Sequence, residues 1–250
     1  MMPQSLLKSA HGLGVPLSMP VVASPLAGMF NFGEAVTEAS YAKSVLEGCK
    51  DAGIIGSTGD GAPHAIIEAA LESLQAVGGH GIPFIKPWEG KELDEKLDRA
   101  LASSCPAVGM DIYAAGLVTL RKMGRPVGPK PLSEHTRIVK KIHAAGIKFI
   151  LKGIMTVSDA LLAVESGADC IVASNHGGRV LASSPGTARV LPAIAEAAGS
   201  KMSVMVDGGV RNGADGPKRL ALGEDIVGRG RPGAIAALGG GGGGDCEAHR

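Results

Sequence analysis

The sequence predicts an α/β chain folded as a (β/α)8 TIM barrel, on three observations. Short, nearly all-apolar runs alternate with longer stretches of helical periodicity; about eight such pairs fit into the chain; and polar residues gather where each run ends, not where it begins. The 250 residues match the size of one such barrel.

In chain order, the first eighteen or so residues give no strand. Residues 20–25 form the first β-branched run, and apolar residues at helical spacing follow over 35–51. The second run, 53–57, leads through Ser57-Thr58-Gly59-Asp60-Gly61 into a helical pattern at 65–77. The third, 83–86, ends on Lys86 before a helix at 93–103; the fourth, 107–111, ends on Asp111, and the next helix is at 133–145. The fifth, 149–152, ends in Lys152-Gly153 before 157–166. The sixth, 170–174, opens into Ser174-Asn175-His176-Gly177-Gly178-Arg179 before 187–198. The seventh, 203–207, runs into Asp207-Gly208-Gly209-Val210-Arg211, and the eighth, 225–228, is followed by Gly230-Arg231-Pro232.

Runs this apolar fit strands buried on both faces, as in a parallel sheet covered by helices. An open sheet would concentrate its chemistry at one switch point, whereas a barrel spreads it over many strand ends. The barrel is therefore preferred. The last segment does not fit. Gly239 opens a run of six glycines, and glycine in a helix costs roughly 1 kcal/mol per residue. The expected organisation is an N-terminal segment at 1–19, a barrel at 20–238 and a disordered glycine-rich tail at 239–250. The closing helix is then missing or incomplete, which would leave apolar barrel surface open.

Charge is balanced, with 25 basic against 24 acidic residues, so nothing points to nucleic acid or to an anionic membrane. Cys49, Cys105, Cys170 and Cys246 are scattered, without CxxC or histidine at ligand spacing, so neither disulfides nor a metal site is expected. No signal peptide and no bilayer-length apolar run is legible, and a cytoplasmic protein is expected.

His176 and Arg179 on one barrel-top loop would face the same cavity. Histidine can take a proton near neutral pH, and arginine can bind a carboxylate through two parallel hydrogen bonds. A solvated turn is the alternative for this segment. The loops carrying Asp207, Gly208, Gly209 and Arg211, and then Gly230 and Arg231, follow the seventh and eighth strands, where barrels often bind phosphate. Tight turns with surface arginines are the competing reading. Lys152 closes an apolar strand and is costly to bury unless it meets an anion. Asp111 can orient His176 or cap a helix. Ser57, Thr58, Asp60 and Lys86 are hydrogen-bonding groups or turn formers.

These segments, in this order, closely resemble the FMN-dependent α-hydroxy-acid oxidizing family, which includes glycolate oxidase, lactate oxidase, and the flavin lactate and mandelate dehydrogenases. The specific stretch runs from Phe149 to Pro232 and includes Leu151-Lys152-Gly153-Ile154, the loop from Ser174 to Arg179, the loop from Asp207 to Arg211, and Gly230-Arg231-Pro232. Upstream, Pro20 to Met29 is similar to the family's first barrel strand and Ser57 to Gly61 to its second. The resemblance implies an enzyme with FMN as cofactor that oxidises an (S)-2-hydroxy acid, lactate- or glycolate-like, to the 2-oxo acid and passes the electrons to oxygen or another acceptor; a homo-oligomer is implied too. It implies His176 as general base, Asp111 as its support, Arg179 as the substrate-carboxylate ligand and Lys152 as the cation beside the reduced flavin. It assigns Ser174 to the flavin or ribityl chain, and Asp207, Gly208, Gly209, Arg211, Gly230 and Arg231 to the phosphate. Pro25, Leu26 and Ala27 would lie against the ring through their backbone. Ser57, Lys86 and Gly177 complete the expected cofactor contacts.

The sequence also departs from the family pattern. The N-terminal region that supplies a substrate-contacting tyrosine is expected to be missing. After the third strand, Phe84-Ile85-Lys86-Pro87-Trp88 replaces the expected glutamine and tyrosine; Gly109 stands for a threonine and Ala182 for an aspartate. The second substrate arginine has only Arg121 and Arg125 as loose candidates. Two alternatives therefore stand beside the oxidase: an FMN barrel of isomerase or reductase chemistry, and a truncated barrel without catalysis.

Overall fold

A computed structural model describes residues 13–32, 36–125 and 127–249, with side chains described to residue 240 and not for Phe32. Eight strands, β1 (Val21–Ala23), β2 (Gly56–Thr58), β3 (Gly81–Ile85), β4 (Ala107–Asp111), β5 (Lys148–Ile154), β6 (Cys170–Ala173), β7 (Ser203–Val206) and β8 (Ile226–Arg229), form one parallel sheet in the order β1-β8-β7-β6-β5-β4-β3-β2. A parallel bridge between Val22 and Ile55 joins its two edges, so the sheet closes into the predicted barrel. The intervening helices are α1 (Glu38–Asp51), α2 (His64–Ala76), α3 (Gly90–Leu101), a short α4 (Val118–Lys122), α5 (Leu132–Ala144), α6 (Val157–Ser166), α7 (Thr187–Ala198), a short α8 (Asp215–Leu220) and α9 (Arg231–His249).

Local chemistry sets several of these boundaries. Thr37 and Ser40 form a reciprocal capping box at the start of α1. Thr156 caps α6, and Gly167 ends it in the left-handed conformation at φ +86°.

The period-two alternation of strand side chains explains both the core and the site. Inward-facing Val22, Ile55, Ile82, Phe84, Ala107, Ile150, Cys170, Val172, Met205 and Ile226 fill the barrel interior as one buried cluster. Two residues further along the same faces stand Ser24, Lys86, Asp207 and Gly228. The alternation likewise carries β4 from Ala107 through Gly109 to Asp111, β5 from Ile150 to Lys152, and β6 from Val172 to Ser174. The apolar layers thus end in a polar layer at the C-terminal mouth. A bulge sharpens this on β5: the register shifts between Lys152 and Ile154, with Gly153 as the extra residue at φ +106°. A Cβ at Gly153 would sit 2.7 Å from Tyr113 Cβ, so only glycine fits.

The two ends of the chain complete the barrel's surroundings. Leu13 and Leu17 are buried against the barrel interior, so the described part of the N-terminal segment closes the bottom of the barrel without forming a strand. At the other end, α9 runs through the glycine run to His249, where the sequence predicts a disordered tail and a missing or incomplete closing helix. Its first turns are anchored: α9 lies along α1, and Ala237 is buried with Tyr41, Val45 and Cys49 while Ala234 packs on the same cluster. Packing of those turns on α1 removes the nucleation cost of the helix, while each glycine added beyond them remains less favourable than alanine by roughly 1 kcal/mol.

Glu224, in the link into β8, is buried, and neither carboxylate oxygen has a hydrogen-bond partner among the described residues. Burial, reinforced by Asp225 and only partly opposed by Arg219, pushes its carboxyl up to about 8. A folded-state value above the ordinary 4.5 means that its stabilising effect is complete below about pH 4.5 and is lost as pH rises towards 8. Glu224→Gln is therefore expected to raise stability at pH 8 by on the order of 2–4 kcal/mol, with the gain vanishing towards pH 4.5. Urea midpoints at the two pH values check this; an equal midpoint at pH 8 counts against it.

Candidate active site

Two adjoining cavities open at the C-terminal mouth and share Pro25, Leu26, His176 and Arg179. The first is further lined by Ser24, Lys152, Gly177, Asp207, Gly208, Gly209, Val210, Arg211, Gly228, Gly230, Arg231 and Pro232. The second takes in Ala27, Lys86 and Asp111, with an apolar wall from the loops after β1, β2 and β4.

The β6 loop positions the histidine. His176 has φ +54° and is followed by Gly177 and Gly178, also left-handed, so three successive residues turn the chain sharply over the barrel mouth. Its Nδ1 lies 2.8 Å from Asp111 Oδ2. Its Nε2 lies 2.7 Å from Arg179 Nη2. Arginine only donates, so Nε2 must accept; this assigns the imidazole proton to Nδ1, which lies beside the carboxylate in a close charge contact without the alignment of a hydrogen bond. An imidazole with an anion beside Nδ1 is arranged to take up a proton on Nε2 once Arg179 turns from it to a ligand.

Behind this pair stands a buried charge array. Lys152 Nζ donates to Ser174 Oγ at 3.0 Å and lies 3.5 Å from both Asp111 Oδ2 and Asp207 Oδ2. Burial alone would lower the Lys152 ammonium, but Asp111 and Asp207 outweigh it and raise it above its ordinary value. Burial would likewise raise Asp111; Lys152, His176 and Lys86 together hold it well below the usual carboxylate range. Both groups stay charged.

The first cavity suits an anion. Gly208 and Gly209 have φ +83° and +84°, and the loop is braced by Arg219, whose Nη2 donates to the Gly208 carbonyl at 2.7 Å, and by Thr187, which donates to the Asp207 carbonyl at 2.7 Å. A Cβ at Gly228 would meet Ser24 Oγ at 2.7 Å and Asp207 Cβ at 2.9 Å, so glycine keeps this wall open. Among the described residues, neither Arg211 nor Arg231 pairs with a carboxylate, which leaves both guanidinium groups for a ligand.

Most of the expected site residues therefore converge. Pro25, Leu26, Lys152, His176, Gly177, Arg179, Asp207, Gly208, Gly209, Arg211, Gly230 and Arg231 share the first cavity; Ala27 and Asp111 line the second. Ser174 acts from behind, through Lys152 and through the His176 N–H, which donates to its Oγ at 3.2 Å. Ser57 is buried in β2 and lines neither cavity. Lys86 lies in the second cavity, apart from the phosphate-type loops.

Sequence reasoning missed the support of Lys86. Asp60 accepts from Lys96 Nζ at 2.8 Å, from Trp88 Nε1 at 2.5 Å and from the Lys86 backbone N–H at 3.1 Å, and its backbone carbonyl accepts from Lys86 Nζ. One signal was present: Lys96 sits on the apolar face of α3 with Leu93, Leu97 and Ala100, where a cation needs a buried partner. The departure at Gly109 also has a structural reason, since a Cβ there would collide with the ring of Phe84.

Residues 130–248 match the model of the FMN-dependent dehydrogenase family. An L-lactate oxidase of Lacticaseibacillus rhamnosus is 33% identical over 259 residues, covering 93% of this chain and 69% of that protein. A second L-lactate oxidase, from Lactobacillus jensenii, is 44% identical over 95 residues, a stretch that spans 38% of this chain and only 23% of the relative. Among solved structures, mandelate oxidase with 3,3-difluoro-2-hydroxy-3-phenylpropionic acid superposes with a TM-score of 0.75 at 26% identity, covering 95% of this chain and 72% of that one.

Proposed function

The chain belongs to the FMN-dependent dehydrogenase family, and on that premise we propose that it oxidises an (S)-2-hydroxy acid, of lactate or glycolate type, to the 2-oxo acid. The observation that carries this reading is the Asp111–His176–Arg179 line, in which a neutral imidazole faces a carboxylate on one side and a guanidinium on the other. Arg179 binds the substrate carboxylate through paired hydrogen bonds, and in turning to it releases Nε2 of His176. Nε2 then accepts a proton from the substrate, and Asp111 stabilises the imidazolium that results.

The residues present fit FMN. Gly208, Gly209, Arg211, Gly230 and Arg231 would hold its phosphate, and Lys152 would supply positive charge beside the ring. FMN, when bound, would accept the two electrons together with the second hydrogen that the substrate loses, and oxygen or another acceptor would regenerate it. Among the described residues no helix is long and apolar enough to cross a membrane.

The test is the visible spectrum of the flavin-loaded protein, titrated without oxygen with lactate and glycolate. Bleaching of the flavin band is expected; a band that no 2-hydroxy acid bleaches sinks the reading. Arg211→Met is expected to weaken FMN binding by about 10- to 100-fold, the scale of one charge-assisted hydrogen bond, measured by flavin fluorescence.

A further inference from the structure

The second cavity contains a lysine that the proton-transfer chemistry does not use. Lys86 is held in place by its backbone N–H on Asp60 and by its ammonium on the Asp60 carbonyl, while Asp60 itself is tied to Lys96 and Trp88. Lys96 is only 3% exposed and also lies 3.4 Å from Glu92 and over the Trp88 ring. This scaffold is rigid and buried, and it presents one cation to the cavity beside Arg179.

Lys96 is engaged by Asp60 and Glu92, and Lys152 by Asp111 and Asp207, with His176 also on Asp111. Lys86 and Arg179 are the cations left facing the second cavity, and neither forms a side-chain ion pair with a carboxylate among the described residues. Burial pushes the Lys86 ammonium down, Asp60 and Asp111 only partly oppose it, and Lys96 and Arg179 add to the push, so an arriving carboxylate would favour the charged form.

Much of the remaining wall is apolar: Met29, Ile66, Phe84, Leu117, Leu120 and Met123 line it, with Asn31 and Thr119 as polar members. Phe84 fills the space that glycine at 109 leaves open, so this wall offers the ligand a ring and no hydrogen-bonding group.

We propose that Lys86 is the second cation of the substrate site: with Arg179 it holds the carboxylate of a 2-hydroxy monocarboxylic acid whose apolar side chain, larger than that of lactate, packs on this wall. The inference rests on the 2-hydroxy-acid reading and narrows it to one substrate class.

The test is equilibrium binding to the FMN-loaded protein, followed by calorimetry and by perturbation of the flavin spectrum. The probes are three 2-oxo acids: pyruvate, 4-methyl-2-oxopentanoate and 2-oxoglutarate. The branched acid is expected to bind at least tenfold more tightly than pyruvate, because each buried methylene adds to the transfer free energy. The dicarboxylate is expected to bind no better than pyruvate. Lys86→Met is expected to weaken the branched acid at least tenfold, measured on protein saturated with FMN, and Lys86→Arg to restore most of it. Equal affinity for pyruvate and the branched acid, or tightest binding of 2-oxoglutarate, overturns the proposal on the unmodified protein alone. Binding that depends on Arg179 but is indifferent to Lys86 also overturns it, while leaving the parent reading intact. Failure of all three acids to bind, with no bleaching by any 2-hydroxy acid, overturns both.

Discussion

His176→Asn is expected to slow substrate-driven bleaching of the flavin by about 100- to 10,000-fold while leaving the flavin bound, the range contributed by a positioned general base. Asparagine is the informative substitution for two reasons. It tolerates the left-handed backbone at φ +54° better than most residues, so the β6 loop need not refold. Its amide can still donate towards Asp111, but it has no nitrogen lone pair to take a proton. Loss of rate with an unchanged flavin spectrum would isolate proton transfer from cofactor binding. Asp111→Asn is the companion: it should also slow bleaching, because a neutral amide neither fixes the Nδ1–H tautomer nor stabilises the imidazolium. A His176→Asn protein that bleaches at the original rate would remove the base from the proposal.

The barrel and the charged mouth were legible for the same reason. In a (β/α)8 fold the inward face of each strand runs from apolar to polar with period two, so a residue such as Lys152 or Asp207 at the end of an apolar run already announces a position inside the mouth. Residues whose role depends on a partner far along the chain were not legible. Asp60 looks like a turn former, and Lys96, although on the apolar face of its helix, has no identifiable partner until the fold brings the two to 2.8 Å. Strand position puts Lys86 in the polar layer of the mouth, but its hold on the Asp60 carbonyl, across 26 residues of chain, becomes visible only in the fold. Glycine propensity predicted a break after residue 238, whereas the contact of Ala237 with α1, a tertiary effect, supports the helix that continues.

Lys152→Met is expected to cost about 3–5 kcal/mol of stability at pH 7, the penalty for removing one partner from a buried ion cluster. The side chain is only 4% exposed and separates two carboxylates, each 3.5 Å from its nitrogen. Methionine matches its length but leaves Asp111 and Asp207 facing each other in a site with little water. The pH dependence should also weaken. With Lys152 present, Asp111 is held below its ordinary 3.8, so it contributes stability that is present above that value and lost as pH falls through the depressed one. Without the lysine, only His176 and Lys86 oppose burial, so the variant should gain less stability as pH rises. The gap between the two proteins should therefore be smallest near pH 4 and widest near pH 8, measured by urea midpoints, with Lys152→Arg restoring the charge. A constant gap across that range would mean that Lys152 acts by packing alone, and the carboxylates would then need another source of charge to remain ionised so close together.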